Sequence, residues 1–344
     1  MFKPKFLFIS FLIFSLQSIA QNFQNAGDYI SYIVKANDIL AEKYISYLSG
    51  VSHGKSARKV EKRRQEVLNS IYEARANMQG LPPFQGDRSL KDSTVAYYKI
   101  LVSVFNEDYG KIVDMEEIAE QSYDAMEAYM LAKKKANEKL EQAAKSQHDT
   151  QKEFADRHNV KLIEEQTTIG TKIKLADAIM SHYDEVYLIF FKSYKQEGYL
   201  LEATKKKDIV SIEQNISALQ KFAEEGLEKL KQVKAYNSDP TLIVACRGLL
   251  SFYKEEAEKS KIVTDFLLKE ENFNKIKKSF ESQPASRRTQ QDIDQYNKAV
   301  NDINAAVKAY NSQNKKFNDR RAQEINNWND AVKDFLDRYM PERR

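Results

Sequence analysis

The chain has 344 residues, of which 10 are Gly and 6 are Pro, so both turn formers stand below their usual shares of about 7% and about 5% and long uninterrupted elements are expected. Charged residues make up 30% and apolar ones 42%, enough for a core, which excludes wholesale disorder. A single cysteine, Cys246, excludes an internal disulfide framework and any Cys-rich zinc or iron–sulfur site, and a formal charge of +4 is too small to draw the whole chain to nucleic acid or anionic lipid.

Residues 1–20 have the order of a secretory leader. Lys3 and Lys5 precede an apolar run from Phe6 to Leu16, and Ser18-Ile19-Ala20 supplies small residues before Gln21. The run falls well short of the roughly 20 residues that span a bilayer. Cleavage is expected after Ala20, and losing Lys3 and Lys5 lowers the formal charge from +4 to +2. No cysteine stands near that point to carry a lipid, and no later stretch approaches about 18 consecutive apolar residues, so the mature chain is expected to have no transmembrane span. The expected location is the periplasm, the cell surface or the medium.

From residue 26 onward apolar residues recur three and four apart, the spacing that returns side chains to one face of a helix. Residues 26–49 carry Ile30, Ile33, Val34, Leu40, Tyr44, Tyr47 and Leu48, with a stop expected near Gly50 or Gly54. A second helix, 56–79, uses Val60, Val67, Ile71, Ala74 and Met78 and meets Pro82-Pro83, which exclude helical backbone before them. A third helix is predicted over 88–106. The seam then continues through Ile112, Met115, Ala119, Ser122, Met126, Tyr129, Ala136, Leu140, Ala143 and Phe154, as one rod of roughly 65 Å.

The second half repeats the pattern. Ile173, Ala176, Met180, Tyr183, Tyr187, Phe190, Tyr194 and Leu201 form one seam, closed by Lys205-Lys206-Lys207 at a helix end that favours positive charge. Ile209, Ile212, Ile216, Leu219, Ala223, Leu230 and Val233 form the next, ending before Asn237-Ser238-Asp239-Pro240, read as a cap followed by proline at the first helical position. Helices over 240–281 and 289–338 flank Pro284. The fold class expected is all-α, an elongated bundle of long antiparallel helices.

Lys152–His158 matches Lys315–Arg321 at an offset of 163, and Lys111–Asp114 matches Lys261–Asp265 at an offset of 150. The difference of 13 would put an insertion containing the Pro284 turn into the second half and leave the first half without an equivalent turn. Duplication and chance similarity between charged helices account for the match equally well. It serves to divide the mature chain near residues 160–170, into 21–165 and 166–344.

Gly50-Val51-Ser52-His53-Gly54-Lys55-Ser56 resembles a phosphate-binding loop but is one residue short and follows a helix rather than a strand, which argues against nucleotide hydrolysis. What remains is an anion- or partner-binding entrance to the second helix, with Ser56 as its cap and Lys55, Arg58, Lys59, Lys62, Arg63 and Arg64 around it; the alternative is a solvated basic face. Opposite in sign, Glu107, Asp108, Asp114, Glu116, Glu117, Glu120, Asp124 and Glu127 face a single lysine, Lys111, and Glu116, Glu120, Asp124 and Glu127 are spaced for one helical stripe. Pairing with the basic segment, or solvation, explains these acids better than a metal. Calcium loops need alternate ligands with a Gly turn, and no histidine has a carboxylate three residues before it. Cys246 lies in an apolar helical run and the many aromatic residues sit on seams, so both read as core.

His53–Glu61, Asn106–Glu117, Ile189–Glu197 and Asp294–Val300 resemble blocks of a bacterial surface-protein family found in spirochaetes and Bacteroidota, for which no activity is established. The resemblance runs through most of the mature chain and implies an exported, envelope-associated helical protein; it implies no catalytic residue. Together these readings predict a non-enzymatic protein that acts through interaction faces on a protein or envelope component, with no cofactor, no metal and no nucleic acid. The alternatives are a membrane-active, pore-forming-toxin-like bundle and an enzyme with a site between helices. The first needs an insertable hairpin, and Val186 to Phe191 and Leu242 to Cys246 are too short for one.

Overall fold

The computed structural model describes residues 23–52, 57–162 and 168–341; the leader lies outside them. Among the described residues the chain is helical, and β-type pairing is confined to two isolated bridges. The first four rods are α1 (Ala26–Ser52), α2 (Ala57–Gly80), α3 (Ser89–Ser103) continued through a π-helical turn (Val104–Asp108) into α4 (Tyr109–Ala119), and α5 (Tyr123–Arg157). Four more follow: α6 (Thr168–Lys206), α7 (Ile209–Leu230), α8 (Thr241–Lys259) with α9 (Lys261–Ser282), and α10 (Gln290–Tyr339). Short connections make successive rods antiparallel. α1 packs on α6, and one apolar core runs through both groups. At 1.5 Å per residue the 50 residues of α10 span about 75 Å, so the bundle is elongated as expected.

Local chemistry explains most boundaries. Asp208 opens α7 by accepting from the Ser211 amide at 3.1 Å, and Ile212, Ile216, Leu219, Ala223 and Leu230 then fall on its buried face. Thr289 and Asp292 form a reciprocal capping box at the start of α10. Gly50 does not stop α1. The helix runs on to Ser52, and Gly50 is where the Arg63 side chain crosses it: a Cβ there would lie 2.9 Å from Arg63 Nη1.

Four expectations need correction. The rod predicted to run unbroken toward Phe154 stops at Ala119, and Ser122 restarts it by capping Ala125 at 3.1 Å. The helix predicted over 240–281 breaks at Ser260, whose Oγ donates to the Glu256 carbonyl at 2.6 Å and so competes with the helical ladder. Pro240 stands at the N-cap of α8 rather than inside it; Asp239 is the group that accepts from the Thr241 amide, at 2.9 Å. On α6 the predicted seam holds from Ile173 through Phe190 and slips by one residue beyond it. Tyr194 and Leu201 are exposed, while Ser193, Glu197 and Leu200 are buried.

The two groups of rods repeat one turn. In Phe84-Gln85-Gly86-Asp87 and Tyr236-Asn237-Ser238-Asp239, both central residues have positive φ and the Asp amide donates to the aromatic carbonyl, at 2.9 and 2.8 Å. Phe84 packs edge-on against Phe154 and His158, and Tyr236 against Phe335 and Tyr339. The structural counterpart of Phe154-Ala155-Asp156-Arg157-His158 is therefore Phe335-Leu336-Asp337-Arg338-Tyr339, not the segment ending at Arg321 that sequence matching selected. Tyr29 and His182 hold equivalent places against these rings. The offset is 153 between Tyr29 and His182, 152 at the turns and 181 at the final helix, so the second group carries 29 more residues between the last two landmarks. The first group has its own turn there, at residues 120–122, again contrary to expectation. The surplus forms the hairpin joining the end of α9, a 3-10 turn (Ala285–Arg287) and the start of α10, where Phe280 stacks on Tyr296 at 4.5 Å and Arg288 lies over Phe280 at 4.3 Å.

Candidate functional site: the basic face of α2

Helical periodicity splits the basic segment of α2 into two sets. Arg58, Lys59 and Lys62 point outward and are exposed. Arg63 and Arg64 turn inward and are consumed by the fold. Arg63 donates through Nη1 to the Ser46 carbonyl of α1. Arg64 is 7% exposed and grips Glu61 with two bonds, Nε to Oε2 at 2.7 Å and Nη2 to Oε1 at 2.8 Å, while Nη1 donates to the Phe105 carbonyl. The Arg64 hydrogen bond holds the Glu61 carboxyl below its ordinary value, and Glu61 raises Arg64 in return. Lys55 and Ser56 lie outside the described residues.

The Arg64 contact explains why a basic residue is buried here. In the π-helical turn the Tyr109 amide reaches back five residues to the Val104 carbonyl, which disturbs the ordinary four-residue ladder around Phe105. The guanidinium supplies a donor to the Phe105 carbonyl from outside the helix. Beside it an open groove of about 590 Å³ is lined by Glu61, Arg64, Asn106, Glu107, Lys111 and Asp114 among others. The basic segment thus meets the π-helical turn, at the head of the acidic stretch, through a backbone carbonyl.

The acidic stretch itself is divided. Glu116, Glu120, Asp124 and Glu127 are exposed, but Glu116 lies on α4, Glu120 in the break at residues 120–122, and Asp124 and Glu127 on α5, so they form no single helical stripe. Asp108 is bound across to α5 by Lys139 at 2.7 Å. Among the described residues no group of three or more His, Cys, Asp or Glu side chains is placed to hold a metal ion. Cys246 is buried and burial pushes its thiol up to about 12, as befits a packing residue. Tyr183, Tyr187 and Phe190 pack around Trp328, with Phe190 closest at 5.2 Å.

A buried ionic cluster was missed by sequence reasoning. Arg321 of α10 donates to Glu197 of α6 through Nε and to Glu256 of α8 through Nη2, and both carboxyl side chains are 2% exposed as residues. Burial first, and Glu197 second, push the Glu256 carboxyl up to about 9. The available signal was a pair of acids on apolar seams: Glu197 follows Phe190 and Ser193 at helical spacing, and Glu256 follows Leu249 and Tyr253.

Compared with protein-family models, with curated proteins and with solved structures, the chain shows no match. No helix among the described residues is long and apolar enough to cross a membrane.

Proposed function

We propose that the chain is an exported, non-enzymatic helical protein of the bacterial cell envelope, periplasmic or at the surface, that works by presenting charged helical faces to an acidic or phosphate-bearing envelope component or protein. The observation that carries the reading is the division of labour on α2. Arg63 and Arg64 lock the helix to α1 and to the π-helical turn, and this fixes the outward set, Arg58, Lys59 and Lys62, on a rigid support. A preorganised cationic patch attracts an anionic surface at little ordering cost. The leader pattern in residues 1–20 and the resemblance to surface proteins of spirochaetes and Bacteroidota support the location.

The test is photo-crosslinking in intact cells from a probe placed at Lys59 or Lys62, with a probe at Lys229 on α7 as the comparison. The reading expects an adduct with one acidic or phosphate-bearing partner from α2 and none from α7. Identical adducts from both helices, or recovery of the chain with its leader attached in the cytoplasmic fraction, would overturn it.

A further inference from the structure

Three helices of the second group meet at Glu197, Glu256 and Arg321, and the matching positions of the first group hold no ions. The offsets of 153, 152 and 181 place Tyr44, Val104 and Leu140 there, with Tyr44 and Val104 buried and Leu140 packed against the same core. These three positions are therefore packed by uncharged residues in the first group, with Arg64 bonded only to the neighbouring Phe105 carbonyl and to Glu61 of its own helix. A buried ionic cluster adds little stability over such packing, and its attested use is to make a packing arrangement conditional.

The cluster has one guanidinium for two carboxyls. It is electrically balanced when the two carboxyls keep one proton between them, and burial together with the neighbouring Glu197 pushes the Glu256 carboxyl up and so favours the proton there. Glu256 Oε2 and the Tyr253 Oη beside the cluster are both buried without a hydrogen-bond partner; the phenol is a neutral donor and brings no second positive charge to balance a second carboxylate. The surroundings are accounted for helix by helix. α6 contributes Glu197 and Tyr194, and α10 contributes Arg321, with Arg320 held outside by Glu255 at 2.5 Å. α7 meets α8 through the surface pair Glu224–Lys254 at 3.1 Å, and α9 begins beyond Ser260, which bonds to the Glu256 carbonyl.

We propose that Glu197, Glu256 and Arg321 form a proton-gated latch that seats α10, and with it the α9–α10 hairpin, on α6 and α8. When the Glu256 proton passes to water, two carboxylates are left on one guanidinium in a site shielded from solvent, and their repulsion loosens the α10 segment around Arg321. The loosening is local. Phe335 and the Arg338–Asp239 pair at 2.5 Å still hold the far end of the helix.

The experiment is hydrogen exchange on the intact mature protein, read as protection factors from about pH 6 to about pH 10 so that intrinsic exchange rates cancel. α5 of the first group is the internal reference. In the wild type, protection of α10 between Phe317 and Trp328 falls as pH rises while that of α5 is unchanged. In Glu256→Gln, which keeps the shape of the protonated acid, α10 holds its protection across the range. Glu197→Gln is the second variant: it leaves Glu256 as a plain partner for Arg321, and α10 again keeps its protection. Parallel loss in α10 and α5 of the wild type, or a fall in both variants as steep as the wild type's, overturns the latch.

Discussion

Asp87 and Asp239 stand at the same point of two turns 152 residues apart, and each is met by an arginine from the last helix of its group: Arg157 at 3.2 Å and Arg338 at 2.5 Å. Each also accepts from the amide two residues on, at 2.8 and 2.9 Å. Burial alone would raise both carboxyls. Bonds from Ser89, His158 and Arg157 on one, and from Thr241, Tyr339 and Arg338 on the other, outweigh it and hold both below the ordinary value. Either Asp→Asn change removes a charge-assisted acceptor and costs about 1.5 to 3 kcal/mol of stability by urea titration. Because the folded values lie below the free value of 3.8, the stabilisation is complete above that value and is lost as pH falls beneath it. Acid unfolding of the double Asn variant is accordingly shallower than that of the wild type.

The two turns differ at their third residue, where Gly86 has a φ of 86° and Ser238 one of 64°. A serine side chain pays a steric penalty in that left-handed region which glycine does not. Ser238→Gly is expected to raise stability by about 0.5 to 1 kcal/mol after glycine's larger unfolded-state entropy is allowed for, and Gly86→Ser to lower it by a similar amount. Thermal denaturation of both variants reads the signs.

Arg64 and Lys62 lie two residues apart on α2 but face opposite ways. Arg64→Met leaves the Phe105 carbonyl without this donor and the half-exposed Glu61 carboxylate with Gln65 alone, and is expected to cost about 1 to 3 kcal/mol. Lys62→Ala is expected to stay within about 0.5 kcal/mol. Chemical denaturation separates the two outcomes.

The helices were legible because proline pairs, lysine runs and three-four apolar spacing mark them strongly, as at Pro82-Pro83 and in the buried face of α7. The breaks at residues 120–122 and at Ser260 were not, since neither contains Pro or Gly and each depends on a serine hydroxyl choosing a local backbone partner. The basic segment of α2 was visible as charge, but which residues turn inward follows from the π-helical turn on another helix, whose carbonyl claims Arg64. The ionic cluster on α6, α8 and α10 was hidden for a related reason. Glu197, Glu256 and Arg321 each resemble a surface charge until three distant helices bring them together, and Glu197 lies on the buried face of α6 from which Tyr194 and Leu201 are turned away. The repeated turn escaped because the segment ending at Arg321 shares Lys, Phe, Asp and Arg with Lys152–His158 just as the structural counterpart ending at Tyr339 does, so identity alone does not choose between them.

The central claim, that α2 offers a rigid basic face to an external anionic partner, is tested most directly by reversing Arg58, Lys59 and Lys62 to Glu together and measuring envelope association beside the melting temperature. Arg63 and Arg64 are left intact because they hold the fold. Exposed charges contribute about 0 to 1 kcal/mol each, so melting is expected to change little. The account predicts loss of envelope association at a nearly unchanged melting temperature, and association that persists undiminished in the triple variant would contradict it.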